Sequence, residues 1–231
     1  MAVINGLQKT SVIDFPGKIV STVFFGKCNF RCPYCHNSDL VFNQGLPQID
    51  DSVLFEHLEK RRGILDGICI TGGEPTLHPD LPELIRGVKK RGFLVKLDSN
   101  GTNPRMLEDL LSEGLIDYIA MDIKAPKEKY PLVVGTAVRM DRIQRSIDLI
   151  REMAPDYEFR TTVVKELITE EDLIAIAEWI DGSKRYALQQ FRPSKTLDPK
   201  CMECHGYSKE EMETIAKRLK PYFGEVMVRA T

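Results

Sequence analysis

The feature that most restricts the fold is a repeated alternation of short β-branched apolar runs with amphipathic helical stretches. Strand-like runs cover residues 19–25, 67–71, 93–98, 118–124, 158–164 and 186–191, and helical periodicity occupies 52–62, 81–91, 104–113, 139–153 and 170–180. A helix over 209–220 and a strand over 225–229 follow. Thr169, Glu170, Glu171 and Asp172 form an acid-rich helix start, which suits the positive end of a helix dipole. Strands separated by helices pair in parallel through right-handed crossovers, giving either a doubly wound open sheet or a barrel. A complete eightfold barrel takes about 250 residues. This chain has 231 residues and six regular units. The expectation is therefore an α/β fold of the partial (β/α)6 TIM-like barrel type. No repeat, low-complexity tract or Pro/Ser-rich linker interrupts the pattern. Residues 1–231 read as a single domain with a short helix–strand extension over about 195–231.

Composition excludes several classes. Hydrophobic residues at 42% and charged residues at 29% argue against long disorder. Thirty-two basic against thirty-four acidic side chains leave a net charge of -2, so no basic coat for nucleic acid is expected. No apolar run approaches the roughly 20 residues of a membrane span. The opening MAVINGLQKTSVIDFPGK lacks a signal-peptide core. A soluble, cytoplasmic chain is expected.

Six cysteines stand at 28, 32, 35, 69, 201 and 204, five of them in two tight clusters. In a chain with no export signal, such clustering points to metal ligation or redox chemistry rather than a disulfide scaffold. In parallel α/β folds the loops at the carboxyl ends of the strands build the site. The polar motifs collect there: 28–37 after the first strand, 72–75 after the second, 98–101 at the third and 122–124 at the fourth. Cys28, Cys32 and Cys35 form C-x3-C-x2-C. Zinc usually takes four protein ligands, whereas three thiolates on a cubane iron–sulfur cluster leave one iron open to a small molecule.

This triplet, with Tyr34 before the third cysteine, resembles the hallmark of the radical S-adenosylmethionine (SAM) superfamily. Gly72-Gly73-Glu74-Pro75 is similar to that superfamily's second motif, which receives the methionine amino group. The resemblance implies a [4Fe–4S] cluster on Cys28, Cys32 and Cys35, with SAM chelating the open iron. It further implies one-electron cleavage of SAM to a 5′-deoxyadenosyl radical and adenine contact near Tyr34. His36-Asn37 resembles the glycyl-radical-enzyme activases. Asp98-Ser99-Asn100-Gly101 and Met121-Asp122-Ile123-Lys124 look like elements of pyruvate formate-lyase activating enzymes. By that likeness Asp98, Ser99 and Asp122 become ligands of a monovalent cation beside the SAM carboxylate, and Lys124 a SAM contact. Residues 6–18, with Gln190-Phe191-Arg192-Pro193 and Leu197-Asp198-Pro199, resemble the branch that activates anaerobic ribonucleoside-triphosphate reductase. That implies a glycyl radical enzyme as protein partner and flavodoxin or ferredoxin as electron donor. Residues 38–69 lack the cysteine-rich insert of some activases.

Two other readings stand beside this one. The first is a radical SAM enzyme acting on a small molecule or another peptide, in the manner of 7-carboxy-7-deazaguanine synthase. The second is a non-catalytic iron–sulfur carrier or zinc module, which leaves Gly72 to Glu74 unexplained. Among the remaining residues, Cys201 and Cys204 read either as metal ligands, with His205 offering a third group, or as a reduced surface pair. Cys69 and Trp179 read as core, and His57 and His78 as surface. Arg160 and Arg192, near the ends of late strands, read as side chains able to reach SAM or a bound backbone, or else as solvated strand-end charges, the second reading preferred for Arg160.

Overall fold

A computed structural model describes residues 4–229. Its frame is one eight-stranded sheet in the order β1 to β8 along the chain. β1 (Gly6–Ser11) pairs antiparallel with β2 (Val20–Phe25). From β2 onward every pairing is parallel, through β3 (Gly67–Gly72), β4 (Leu94–Ser99), β5 (Tyr118–Asp122), β6 (Tyr157–Val163), β7 (Ser183–Gln190) and β8 (Phe223–Arg229). No ladder joins β8 back to β1 among the described residues, so the barrel is partial. Helices follow each of the six strands β2 to β7: α1 (Ser38–Phe42) and α2 (Asp51–Lys60), α3 (Leu81–Lys90), α4 (Pro104–Ser112), α5 (Tyr130–Val134) and α6 (Met140–Met153), α7 (Glu170–Trp179) and α8 (Lys209–Leu219). The six expected units are present. β1, α1 and α5 are additional, and the two helices have only five residues each. So short a helix carries too little periodicity to be read in sequence.

Alternation along the strands sorts side chains into two cores. The outer face, packed under the helices, holds the main apolar cluster, including Ile68, Ile70, Val95, Leu97, Ile119, Met121, Phe159 and Leu188. The inner face takes the other residues. Phe15, Val20, Cys69, Tyr118 and Ala120 form a small apolar floor. Register aligns Cys69 with Lys96, Asp98 with Ala120, and Asp122 with Arg160. Polar side chains thus rise from this floor toward the carboxyl rim. Capping boxes open α7 (Thr169 with Asp172) and α8 (Ser208 with Glu211), the first at the acid-rich start seen in the sequence.

Trp179 packs on the main core as expected, half-buried, with its ring nitrogen donating to Gln144 Oε1 at 2.7 Å. Two expectations are corrected. His57 and His78 are half-buried with partners: His57 Nε2 lies 3.0 Å from Ser21 Oγ, and His78 Nε2 lies 2.8 Å from the Gly26 carbonyl. No helix among the described residues is long and apolar enough to cross a membrane.

Gly67 shows how closely the first parallel strands approach. A Cβ there would stand 2.1 Å from the Leu94 carbonyl oxygen, a backbone atom that cannot swing aside. Gly67→Ala is expected to lower stability by about 1–3 kcal/mol, read as a lower urea midpoint. An unchanged midpoint would show that β3 and β4 separate without cost.

Candidate active site

The loop after β2 is tied down mostly by backbone. Lys27 and Cys28 amides donate to the carbonyls of Leu40 (2.6 Å) and Val41 (3.1 Å) in α1, and the Arg31 amide donates to Val134 at the end of α5 (2.8 Å). The Arg31 guanidinium closes the turn on the carbonyls of Cys28 (2.6 Å) and Phe30 (2.7 Å). Both short helices therefore serve to hold this loop. Its three cysteines are unpaired and line one cavity of about 190 Å³, together with Tyr34, Gly72, Gly73, Glu74, Asp98, Ser99, Asp122, Lys124 and Arg160. Burial pushes the Cys28 thiol up to about 12 and Cys32 to about 11, and raises Cys35 as well. Desolvated thiols of this kind ionise only against a cation placed among them.

Gly72 and Gly73 bring the second motif against this loop. Gly72 has φ +118°, and a Cβ there would lie 2.4 Å from the Phe25 carbonyl; at Gly73 it would lie 2.2 Å from that of Lys27. Glu74 follows, fully buried. Its Oε1 accepts from Thr76 N (3.1 Å), Thr76 Oγ1 (2.5 Å) and Ser99 Oγ (2.9 Å), and its Oε2 from Asn100 N (2.6 Å). Burial raises the Glu74 carboxyl above its usual range, and these donors act against that rise. Ser99 is thereby committed to Glu74.

Facing Glu74 is a ladder of alternating charges. Lys96 on β4 pairs with Asp98 Oδ1, and Arg160 Nη2 reaches Asp98 Oδ2 at 3.0 Å. Arg160 Nε lies 2.7 Å from Asp122 Oδ1, and Lys124 Nζ lies 3.0 Å from Asp122 Oδ2. Burial opposes ionisation of both aspartates. The Arg160 guanidinium, with Lys96 at Asp98 and Lys124 at Asp122, outweighs it and holds both carboxyls below their ordinary range. Arg160 is thus a buried ion-pair partner and not a solvated charge. Only the methyl of Ala120 stands opposite Asp98 on β5, which leaves Arg160 room to cross that strand. Sequence reading named Arg160 but missed its ion pairs, and missed Lys96 altogether. The available signal was the polar alternation Glu158, Arg160, Thr162 and Lys96, Asp98 on strands otherwise apolar.

The segment after β7 crosses the front of the loop. Phe191 is buried and stacks on His36 with ring centres 5.4 Å apart, while the Asp198 amide donates to the Pro33 carbonyl at 2.9 Å. That turn sends Arg192 outward, where it is exposed and outside the cavity lining; Gln189 lines the cavity instead. Cys201 is buried and Cys204 half-buried, both packed on the main core and both with free thiols that adjoin one another. His205 is exposed, with Nδ1 2.8 Å from Glu166 Oε1.

The residues present fit a cluster and its sulfonium ligand. Three thiols share one cavity, two glycines leave backbone bare beside them, and Glu74 and the ladder supply opposite charges across it. The Tyr34 hydroxyl, in the same lining, is buried without a hydrogen-bond partner among the described residues. When bound, a reduced [4Fe–4S] cluster supplies the electron that breaks the sulfur–carbon bond of SAM.

These features define a radical SAM enzyme, and comparison with known proteins agrees. The family model of the Radical SAM superfamily matches residues 22–180, and the chain belongs to that family. Enzymes of this family use a [4Fe–4S] cluster and SAM. A Methanocaldococcus jannaschii protein provisionally named a glycyl-radical enzyme activating enzyme is 34% identical over 99% of this chain and 96% of its own length. The pyruvate formate-lyase-activating enzyme of Clostridium pasteurianum is 25% identical over 95% of this chain and 98% of its own. Among solved structures, Streptococcus suis SuiB bound to its precursor peptide SuiA superposes with a TM-score of 0.69 at 14% identity, over 89% of this chain but 47% of SuiB.

Two outcomes follow from the site. Loading iron and sulfide onto raised thiols releases protons, so at limiting iron the equilibrium occupancy is expected to rise with pH, the binding constant by up to about tenfold per pH unit for each proton released. Iron and sulfide content against pH checks this, and a flat profile would contradict it. Glu74→Gln places an amide NH2 among donors and removes a charge. SAM binding to the loaded protein is expected to weaken by about tenfold or more, measured by equilibrium dialysis.

Proposed function

We propose that this chain is an activating enzyme that generates a glycyl radical on a partner enzyme, and that the partner is an anaerobic ribonucleoside-triphosphate reductase. The observation that carries this reading is the full-length similarity to a protein provisionally named a glycyl-radical enzyme activating enzyme, together with a cleft lined by the three cysteines, Glu74 and Lys124. In it Cys28, Cys32 and Cys35 hold the cluster. Glu74, buried among donors, receives the ammonium of SAM's methionine moiety, and Lys124 meets its carboxylate. The backbone around Tyr34 orients the adenine end, and the ring packs edge-on to Phe191, which helps close that side against water. The hydrogen is taken from a glycine Cα of the partner, whose loop enters the cleft in extended form. The branch likeness of residues 190–199 supports the reductase as partner, with flavodoxin or ferredoxin as donor.

The test is anaerobic. Loaded protein, SAM and a reductant (dithionite, then reduced flavodoxin or ferredoxin) are incubated with the reductase carrying α-deuterated glycine. A glycyl radical signal by electron paramagnetic resonance and deuterium in 5′-deoxyadenosine are expected, both lost in Cys28→Ala. Deuterium transfer from a nucleotide or another small molecule, with none from the protein, would replace this reading by the small-molecule one.

A further inference from the structure

Asp98 and Asp122 are the residues whose likeness assigns them to a monovalent cation, yet in this structure each of their oxygens already faces a cation of the chain. Asp98 Oδ1 is paired with the ammonium of Lys96, and Oδ2 with Arg160. Asp122 Oδ1 is paired with Arg160, and Oδ2 with Lys124. A hard cation is held by several oxygens turned toward one point. Here all four oxygens face cations of the chain itself, and Ser99 Oγ is turned to Glu74. The donor set does not fit an alkali ion.

Charge balance points the same way. Three cations against two anions leave the ladder one positive charge in excess. Adding an alkali ion would bring like charge to a buried, weakly screened place, whereas a carboxylate is drawn to it. An ammonium group is also close to potassium in size and charge. Lys96, 2% exposed and beneath Asp98, is in effect such an ion tethered to β4.

We propose that Arg160, which bridges Asp98 and Asp122, and Lys96, paired with Asp98, stand in the place of an inorganic monovalent cation, so that the carboxylate of SAM meets a positive charge borne by the protein and binding needs neither sodium nor potassium. This rests on the reading of the cleft as a SAM site. Arg160 lines the cavity and is placed to touch the ligand; Lys96 does not line it and is a positioning residue acting through Asp98.

The test uses full-length, cluster-loaded protein under anaerobic conditions. SAM affinity is measured by equilibrium dialysis in buffers whose only cation is tetramethylammonium, sodium or potassium. Affinities within about twofold of one another are expected, and a gain of about tenfold or more with sodium or potassium would overturn the proposal. Lys96→Met is expected to bind SAM about tenfold more weakly in tetramethylammonium and to recover with potassium or ammonium, a size-selective rescue that a purely structural lysine would not show. Wild-type-like binding by this variant in tetramethylammonium would overturn the role of Lys96. Thallium-205 resonance of the cluster-loaded proteins, whose cavity thiols are occupied, gives a readout that needs no SAM: saturable thallium binding is expected in Lys96→Met and absent in the wild type. Saturable binding by the wild type would overturn the proposal, and this wild-type measurement decides even if Lys96→Met does not fold. Failure of loaded wild type to bind SAM in any buffer would instead overturn the SAM-site reading, and this proposal with it.

Discussion

The site depends first on a place where two strand ends meet as bare backbone. The Gly73 amide donates to the Phe25 carbonyl at 2.7 Å and the Glu74 amide to that of Lys27 at 2.9 Å. No residue with a side chain fits at 72 or 73 without pushing these strands apart. This junction sets the height of the cysteine loop above the barrel and seats Glu74 beneath it. Glu74 then draws in the end of β4 through Ser99 and Asn100. Three consecutive strand ends are thus joined through Glu74, by its backbone amide on one side and its carboxylate on the other. A displacement of any of them moves both the thiols and the charge that faces them.

Below this junction the partial barrel has a polar interior, which is costly. Burying five ionic side chains removes hydration that a low-dielectric interior does not replace. The arrangement survives because the charges alternate, each with a partner on the same or a nearby strand. Removing either aspartate would leave Lys96 or Lys124 without its ion-pair partner, which is far worse than replacing the set with apolar side chains. An apolar interior would be more stable and could bind nothing charged. The helices, packed on the outer face by Ile, Leu and Val, provide stability independently of the interior.

The fold and half of the site were legible because their signals are local. Strand and helix periodicity needs only neighbours in sequence, and Cys28 to Cys35 or Gly72 to Glu74 are contiguous motifs whose chemistry is in the spacing. Arg160 and Lys96 were not legible, since their meaning lies in strand register. Arg160 matters because it stands beside Asp122 and across Ala120 from Asp98, and nothing within 158–164 states that. Arg192 shows the opposite limit, lying exposed and outside the cavity lining. Placed by motif, it lies two residues beyond the end of β7, where the stacking of Phe191 on His36 reverses the side from which the chain faces the cleft. Cys201, within a turn and without periodicity, gave no sign of its burial.

One low-dielectric cleft acts in opposite senses on its two halves. Burial discourages the thiols from ionising until positive charge is placed among them. The same burial strengthens the ion pairs of Asp98 and Asp122, because their partners are fixed and close. The result is a cavity with one carboxylate pole at Glu74, on the loop after β3, and one cationic pole at Arg160 and Lys124, on and just after β6 and β5. The poles are opposite in sign, so one charged group attracted to either is repelled by the other. A ligand carrying only an amine or only an acid leaves the other pole unanswered in a medium where unanswered charge is costly. A zwitterionic amino-acid moiety answers both at once, and its orientation is then set by which end of the cleft carries which sign.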